Sequence, residues 1–458
     1  MTSNELPKVA IAEHLAQKIC VLDASHLPGA VRRKCEDLLV DVVGLAVTAR
    51  NEEYVQSALA ACEDDGSCTA IGHSRTLTAS GAALVNGTAI HGEDFDDTFE
   101  GGPVHAGAVI VPAVLAACER YSLDGRAALL GIAVGVETMC RLSLVAPTLT
   151  HKTGFHPTAM FGTIGAAAGV GAALKLTPRR MVDALGTAGS MASGIIEYLA
   201  EGAWTKRLHA GWAAQSGLQA ALLGRAGFSG PRTVFEGVHG FFHAFAHTTK
   251  GDYDALIGDF GKTWLTQTLA FKPYPCGTMT HPYIDCARRL AARGVKADDI
   301  VDMVCEVGEG TVHRLWEPLA AKQRPANGYS GKFSTPYCIA AGFLRGNVGL
   351  GDFSDSAVRD LNVVALAAKV SYRIDPQNPY PKNFTGHIRV TLRDGSVVEE
   401  RQPYMRGGTH EPLTRADIEQ KFLLNAKHGG WSEDRVAAVL KLLRTLFDEP
   451  IKLAPLRG

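Results

Sequence analysis

Histidine, carboxylate and hydroxyl side chains are concentrated in one short stretch of the sequence. It contains His91-Gly-Glu-Asp-Phe-Asp-Asp-Thr98, followed shortly by Gly-Gly-Pro-Val-His105. Carboxylates this close together must be solvated, paired with cations or bound to backbone N–H groups. Asp96, Asp97 and Thr98 are therefore candidates to cap a helix. The Asp-x-Asp-Asp pattern also offers oxygen ligands for a divalent metal, and the Gly-Gly-Pro break favours the loop wall of a substrate pocket.

Another histidine stands directly before a proline, in Gly154-Phe-His156-Pro157. The proline restricts His156 to extended backbone, so His156 cannot join the helix predicted to follow. Its ring is expected at the mouth of that helix, where free backbone N–H groups attract anions. This placement favours a proton donor or acceptor beside an anionic ligand, although a structural histidine has the same pattern.

Cationic side chains occur in two further segments. Lys206-Arg-Leu-His209 opens an apolar, glycine-containing segment, which is either a solvated helix start or a clamp for substrate carboxylates. Lys272 precedes two prolines in a stiff segment at a predicted domain boundary, and clefts between domains are preferred ligand locations. Cys276, in the same segment, is predicted to be structural, because nothing in the sequence indicates a lowered thiol pKa.

The composition excludes several classes of function. The chain has 458 residues and a net charge of −1, whereas a nucleic-acid-binding protein normally carries a basic excess. Its ten cysteines form no C-x-x-C pair, so zinc ribbons and the common iron–sulfur spacings are not expected. The N-terminus has no apolar run behind a basic cluster, and the most membrane-like stretch, residues 159–174, is shorter than the roughly 20 residues that a span needs. We expect a cytoplasmic protein with neither nucleic acid nor membrane as partner.

The periodicity of apolar residues predicts which elements position these groups. Helical spacing dominates residues 1–266 and returns after residue 404, and stretches rich in Gly, Ala and Ser predict closely packed helices. Between them, β-branched runs and a hairpin signal predict α+β structure. The predicted fold is therefore mainly α: a large all-helical domain (residues 1–266 and 404–458) with a smaller α+β lid domain (residues 267–403) inserted before the C-terminal helices.

Four local predictions are more specific. Ser25 or His26 is expected to open the first long helix, and Thr177, which precedes Pro178, is expected to begin another. Partial alternation over residues 363–372 predicts a strand. Asp394-Gly395 predicts a two-residue hairpin turn, because glycine supplies the positive φ that such a turn needs.

Five segments of the sequence, in chain order, resemble the MmgE/PrpD family. They are His91-Gly-Glu-Asp-Phe-Asp-Asp-Thr98, Gly154-Phe-His-Pro157, Lys206-Arg-Leu-His-Ala-Gly211, Phe271-Lys-Pro-Tyr-Pro-Cys276 and Asn327-Gly-Tyr-Ser-Gly-Lys-Phe-Ser334. The resemblance covers nearly the whole chain. Together the segments are specific for the family but not for one reaction, since its members include 2-methylcitrate dehydratase, cis-aconitate decarboxylase and iminodisuccinate epimerase.

This resemblance implies a cleft between a large helical domain and the lid, a homodimer, and neither a metal nor an organic cofactor. The residues implied as catalytic are His105, His156, Lys206 and Lys272. The residues expected to bind substrate are Asp94, Thr98, Arg207, His209 and Tyr329.

The reactions of the family share a carbanion that is formed or quenched next to a carboxylate or imine. An enzyme without a metal must place cations where this charge grows and hold an acid–base group near the carbon. We expect Lys206 and Lys272 to supply the positive charge and His156 or His105 to move the proton. Asp94 would orient or charge a histidine, and Thr98 would donate a hydrogen bond to a carboxylate.

The resemblance therefore implies a cofactor-independent lyase that acts on a small polycarboxylic acid, with a dehydratase of the 2-methylcitrate type as the first choice. A decarboxylase of the cis-aconitate type is one alternative. An isomerase or epimerase is another, and it would need two acid–base groups on opposite faces of the substrate. A non-catalytic polycarboxylate-binding protein would use the same cationic pocket.

Overall fold

The computed structural model describes residues 9–102 and 104–458. Residues 1–8, for which the sequence predicts no secretory signal, and Pro103 of the Gly-Gly-Pro break lie outside the described residues. The described chain divides into two compact units. The large unit comprises the described residues up to Gly92, Asp96–Leu269 and Thr414–Gly458, and the small unit comprises Glu93–Phe95 and Ala270–Leu413.

The fold is mainly α, with 21 α-helices and eight strands in the described residues. The helices are α1 (Ile11–Cys20), α2 (Gly29–Ala49), α3 (Glu53–Ala60), α4 (Ala79–His91), α5 (Gly107–Arg120), α6 (Gly125–Val145), α7 (Leu149–Lys152), α8 (Pro157–Ala173), α9 (Pro178–Met191), α10 (Tyr198–Glu201), α11 (Thr205–Ala226), α12 (Phe241–Ala246), α13 (Tyr253–Ile257), α14 (His281–Ala292), α15 (Val312–Leu315), α16 (Leu319–Gln323), α17 (Gly328–Gly331), α18 (Thr335–Arg345), α19 (Leu361–Ala367), α20 (Arg415–His428) and α21 (Glu433–Thr445). The strands are β1 (Asp65–Thr69), β2 (Thr76–Leu77), β3 (Thr98–Phe99), β4 (Leu269–Ala270), β5 (Ile300–Val307), β6 (Val370–Ile374), β7 (Gly386–Leu392) and β8 (Val397–Gln402).

Helix α8 lies at the centre of the large unit. All of its residues are buried, and it packs against α5, α6, α9 and α11. A helix that is covered on every side has no polar face, which explains its apolar composition. A Cβ atom on Gly165 would lie only 2.9 Å from the carbonyl oxygen of Gly135 in α6, so the two backbones approach more closely than a larger residue would allow. The glycine and alanine content of this segment thus reflects tight helix packing, as predicted.

Helices α4 and α11 carry several of the candidate residues, and they also contact each other at glycines. A Cβ on Gly87 would lie 2.7 Å from the Cα atom of Gly211, and a Cβ on Gly211 would lie 2.1 Å from the carbonyl oxygen of Leu84. His91 follows Gly87 by about one helical turn, and His209 precedes Gly211 by two residues. This contact therefore fixes the separation of the two histidine-bearing helix segments.

Among the helices of residues 9–102 and 104–458, only α6 is long and apolar enough to cross a membrane. In the fold, 94 % of its most apolar stretch is buried inside the protein, as in the core helix of a helical domain.

The small unit combines helices with a four-stranded sheet. The strand order is β6-β5-β7-β8, with β5 and β6 parallel and the other pairs antiparallel. Met303 and Cys305 alternate with more exposed residues on β5 and join Ile388 and Val390 of β7 in a hydrophobic core. Helix α14 packs against β7 and β8, and α18 packs against α14.

Two of the specific helix predictions have different outcomes. Thr177 is the N-cap residue of α9 and Pro178 occupies the first turn, as predicted. The first long helix begins at Gly29 rather than at Ser25 or His26, because Asp23 caps a separate 3₁₀ turn over Ala24–His26.

Two of the predictions for the small unit are wrong in part. Residues 363–372 do not form one strand: α19 extends to Ala367, and β6 begins at Val370. The buried residues of α19 are Val363, Leu366 and Ala367, which follow helical spacing. Their burial favoured a helix over the strand that the partial alternation predicted. The hairpin between β7 and β8 has a three-residue loop instead of a two-residue turn, since the N–H of Leu392 donates to the carbonyl of Ser396 and Gly395 has φ of 82°.

Replacing Gly211 with alanine is expected to destabilise the protein, because the new methyl group would collide with the Leu84 carbonyl. Overpacking of this kind costs about 1–3 kcal/mol. The matched control is Gly351→Ala, where a Cβ would meet nothing within 4 Å. Thermal melts followed by circular dichroism compare the two variants, and an unchanged melting temperature in Gly211→Ala would contradict the close contact of α4 and α11.

Candidate active site

A buried histidine–carboxylate pair lies at the end of α4. The Nδ1 atom of His91 is 2.6 Å from Oδ2 of Asp96, and both side chains are fully buried. An ionised carboxylate only accepts hydrogen bonds, so Nδ1 of His91 carries the proton. Nε2 of His91 has no hydrogen-bond partner among the described residues. When the ring is neutral, this atom is an unused acceptor inside the protein.

His105 is held in a defined tautomer by the backbone. Its Nδ1 atom lies 2.6 Å from the carbonyl oxygen of Asp97. A carbonyl only accepts, so Nδ1 is the donor and Nε2 of the neutral ring is left as the acceptor. The chain returns to this point because the N–H of Phe99 donates to the carbonyl of Val104. In this tautomer, Nε2 of His105 is the nitrogen that can accept a proton.

Asp97 holds the start of α5. Its carboxylate accepts hydrogen bonds from the N–H groups of Ala106 at 3.0 Å and Gly107 at 2.9 Å. Burial, followed by the charges of Asp96 and Asp41, raises the pKa of Asp97 to about 8. The capping interpretation thus holds for Asp97, whereas Asp96 binds a histidine.

His156 and His209 form a second pair of rings. His156 is the N-cap residue of α8, and its Nδ1 lies 3.2 Å from Nδ1 of His209 on α11. One of these nitrogens donates and the other accepts, because two bare lone pairs would repel. The ring of His91 is 5.6 Å from that of His156 and 5.2 Å from that of His105, measured between centroids. The four imidazoles, which we call the histidine cluster, are therefore continuous.

Burial keeps part of the histidine cluster uncharged. It is the main cause of the lowered pKa values of His156, which falls well below its usual range, and of His209, which falls to about 4. The positive charges of His91 and Lys206 lower both values further. Lys206 lies in the first turn of α11 and is 5 % exposed. The two rings are thus neutral near pH 7, and a bound anion would favour their cationic forms.

The remaining candidates of the large unit have more varied surroundings. Thr98, on β3, is buried. The guanidinium of Arg207 lies 4.3 Å from the centre of the Tyr54 ring, a distance typical of a cation–π contact. Tyr198 contacts the rings of His156 and His209 edge-on. Tyr198 was not singled out in the sequence, since it lies in none of the five family segments.

Asp94 and Lys272 belong to the small unit. Lys272 is 2 % exposed, and its Nζ donates to the backbone carbonyl of Asp94 at 2.9 Å. Asp94 has φ of 55°, in the left-handed region that aspartate tolerates better than most residues. The ammonium of Lys272 therefore helps to hold an unusual backbone conformation at a candidate residue.

A second buried lysine, Lys332, holds the preceding residue. Its Nζ donates to the backbone carbonyl of Glu93 at 2.7 Å and forms an ion pair with the Glu93 carboxylate at 2.5 Å. Lys272 and Lys332 thus bind consecutive carbonyls of the segment Glu93–Phe95. Sequence reasoning gave Lys332 no role, although its place in the fifth family segment was the available signal.

Tyr329 also lies in the small unit, on α17. It is half-buried, and its ring packs edge-on against Phe333 with centroids 5.4 Å apart.

The structure divides the predicted site residues into two sets. The large unit holds Thr98, His105, His156, Lys206, Arg207 and His209, and the small unit holds Asp94, Lys272 and Tyr329. One cluster contains His91 together with His105, His156 and His209. The sequence analysis predicted no catalytic or binding role for His91. That the two sets serve one substrate stays a prediction. Within residues 9–102 and 104–458, no group of three or more His, Cys, Asp or Glu side chains is arranged to hold a metal ion.

Comparison with known proteins assigns the chain to a family. Residues 13–254 match the MmgE/PrpD N-terminal domain, and residues 274–444 match the MmgE/PrpD C-terminal domain. The chain belongs to the MmgE/PrpD family. This confirms the resemblance carried by the five segments.

Curated relatives within the MmgE/PrpD family align over most of the chain. Cis-aconitate decarboxylase of Homo sapiens is 28 % identical, covering 96 % of this chain and 92 % of the relative. The cis-aconitate decarboxylase-like protein oryM of Aspergillus oryzae is 27 % identical, covering 92 % and 91 %. The 2-methylcitrate dehydratase-like protein oryR of the same fungus is 25 % identical over 36 % of this chain and 35 % of its own length.

Replacing Lys332 with glutamine is expected to lower the free energy of unfolding by about 3 kcal/mol, because it removes the buried ammonium that forms an ion pair with the largely buried Glu93 carboxylate. Urea denaturation measures the change, with Lys382→Gln at an exposed position as the matched control. The double variant Lys332→Gln/Glu93→Gln should recover part of the loss. Equal stability of Lys332→Gln and the control would show that the ion pair does not hold this segment.

Proposed function

We propose that this protein is a cofactor-independent lyase that decarboxylates a small unsaturated tricarboxylic acid of the cis-aconitate class. It is a lyase of the MmgE/PrpD family, in which relatives aligned over more than nine tenths of the chain are named as cis-aconitate decarboxylases. The observation that carries the proposal is the histidine cluster, in which the buried rings of His156 and His209 are neutral and are affected by the ammonium charge of Lys206.

A tricarboxylate supplies negative charge beside the histidine cluster. Its negative groups attract Lys206 and raise the pKa values of His156 and His209, because an opposite charge nearby stabilises the imidazolium form. Substrate binding thereby converts a neutral imidazole into a proton donor. The imidazolium acid therefore forms only when the substrate is bound. The negative charge of the substrate also offsets part of the free-energy cost of burying several basic groups together.

The chemical step then needs one bond broken and one proton delivered. The bond between carbon and the departing carboxylate breaks, carbon dioxide leaves, and the electron pair enters the system conjugated with a remaining carboxylate. Lys206 stabilises the negative charge that accumulates there. The imidazolium of His156 or His209 gives its proton to carbon and is recharged from solvent. Asp96 positions His91 by fixing its Nδ1–H, and His105 presents Nε2 as the complementary acceptor.

Dehydration of a 2-methylcitrate-type substrate is the second candidate, favoured by the partial match to a dehydratase-like protein. The same groups would serve it, with neutral His105 removing a proton next to a carboxylate and an imidazolium protonating the departing hydroxyl. The homodimer and the cytoplasmic location stay predictions.

Product analysis by NMR separates these functions. The full chain is incubated with cis-aconitate, 2-methylcitrate, citrate and amino-dicarboxylates, and we expect cis-aconitate to lose one carboxylate with release of carbon dioxide. Loss of water from 2-methylcitrate would favour the dehydratase. Exchange of a substrate proton with deuterated solvent without net loss would favour an isomerase, and binding without product would favour a binding protein. If EDTA abolished activity and Mg²⁺ restored it, the result would favour a divalent-metal site at the Asp-x-Asp-Asp pattern.

Replacing Lys206 with methionine, which keeps most of the length of the side chain without its charge, should lower kcat/KM by about 100-fold or more. Lys152→Met, at an exposed position on α7, is the matched control. Steady-state kinetics on the substrate identified above measures both variants. Turnover in Lys206→Met equal to that of the control would remove the ammonium from the mechanism.

Replacing Lys272 with alanine should cut turnover by orders of magnitude while the far-ultraviolet circular dichroism spectrum stays that of the wild type. The reason is the predicted stabilisation of the carbanion by this ammonium. Lys382→Ala provides a comparison at an exposed site of the same unit. Near-normal turnover in Lys272→Ala would limit this lysine to its backbone contact with Asp94.

A further inference from the structure

The small unit contains a basic cavity that none of the candidate active-site residues lines. Its volume is about 490 Å³. Three of its wall residues are arginines, contributed by α14 and by the segment after β8. The lining residues are Asp285, Arg288, Arg289, Ala291, Ala292, Gly346 and Arg406.

A buried tyrosine anchors two of these arginines. Arg288 donates to the hydroxyl of Tyr274 at 2.6 Å, and Arg406 donates to the same hydroxyl at 3.2 Å. The guanidinium carbons lie 5.9 Å and 5.4 Å from the centre of the Tyr274 ring. The hydroxyl donates in turn to Asp285 at 2.5 Å. Two cations from distant parts of the sequence are therefore held at one point, although their charges repel.

Each of these guanidinium groups keeps donors for a ligand. Arg288 uses Nε and Nη1 for the carbonyl of Gly346 and for Tyr274. Arg406 uses Nε and Nη2 for Asp285 and Tyr274. Within the part of the chain that the structure describes, these bonds leave Nη2 of Arg288 and Nη1 of Arg406 available. Both side chains are partly exposed, so a small molecule can reach them.

The charge balance of the cavity favours an anion. Its wall carries three guanidinium groups and one carboxylate, that of Asp285. Arg289 donates to Glu400 at 2.8 Å and shares that carboxylate with Arg293, whereas Arg288 and Arg406 share the single charge of Asp285. At least one positive charge of the cavity wall therefore remains uncompensated. Arginine binds both carboxylate and phosphate. A phosphate group has more acceptor oxygens than a carboxylate, so it can bridge guanidinium groups that come from two segments of the chain.

We propose that this cavity binds the phosphate group of a small molecule. The site is separate from the proposed lyase chemistry in both residues and ligand class. It requires Arg288 and Arg406 for direct contact, and Tyr274 and Asp285 to position them.

Isothermal titration with inorganic phosphate at constant ionic strength tests the proposal on the full chain. We expect saturable binding to the wild type and at least about tenfold weaker binding to Arg406→Gln. Arg293→Gln is the matched control, because Arg293 follows the same helix and pairs with Glu400 but does not line the cavity. Its affinity for phosphate should equal that of the wild type. If Arg406→Gln does not fold, Arg406→Lys keeps the charge, loses the forked donor geometry and should also bind more weakly.

Several results would overturn the proposal. They are phosphate binding that does not saturate, equal affinities of the wild type and both Arg406 variants, and tighter binding of succinate than of phosphate. Loss of phosphate binding in Lys206→Met would assign the ion to the proposed active site instead. Because the readout is phosphate affinity, it is independent of whether the chain decarboxylates or dehydrates its substrate.

Discussion

The burial of several basic groups in one place is the constraint on which the candidate site depends. Four imidazoles adjoin one another in the large unit, and the charge of Lys206 acts on two of them. Burial deprives charges of solvation there, and like charges would repel, so the pKa values of His156 and His209 are lowered and these two rings are held neutral. An anionic ligand bound beside these rings would raise their pKa values and favour their protonation. In the proposed mechanism, this property lets imidazoles that are neutral in the free protein become proton donors when an anion binds.

The helical framework makes such burial achievable. His156 caps the start of α8, a helix with no exposed residue, so its ring lies inside the protein. His91 and His209 are brought near one another because α4 and α11 touch through Gly87 and Gly211. Glycine lowers intrinsic helix stability by roughly 1 kcal/mol per position relative to alanine, and packing of the helices against each other offsets this. The glycines that lower intrinsic helix stability are thus the same residues that allow α4 and α11 to bring the histidines together.

Local sequence patterns predicted much of the fold and some of the site. The β-branched run of β5 and the Thr177-Pro178 helix start were recognisable because neighbouring residues alone decide them. Residues 363–372 were misjudged because tertiary burial decided between helix and strand. Four of the five family segments contain His91, His156, Lys206, His209 and Lys272, but spacing along the chain cannot show which carboxylate meets which ring. Asp94 was expected to orient a histidine; Asp96, two residues later, makes such a contact with His91, whereas Asp94 belongs to the small unit. Lys332 was overlooked because its role is visible only once Glu93 lies beside it.

The most direct test of the account is an NMR titration of the histidine rings, with and without propane-1,2,3-tricarboxylate, a tricarboxylate that lacks the reactive double bond. In the free protein, His209 should titrate near pH 4 and His156 well below its usual range. The ligand should raise at least one of these pKa values, so that binding takes up a proton and affinity falls as the pH rises between the free and the bound pKa. Unchanged or lowered values in the complex would contradict the claim that the substrate's own charge creates the acid.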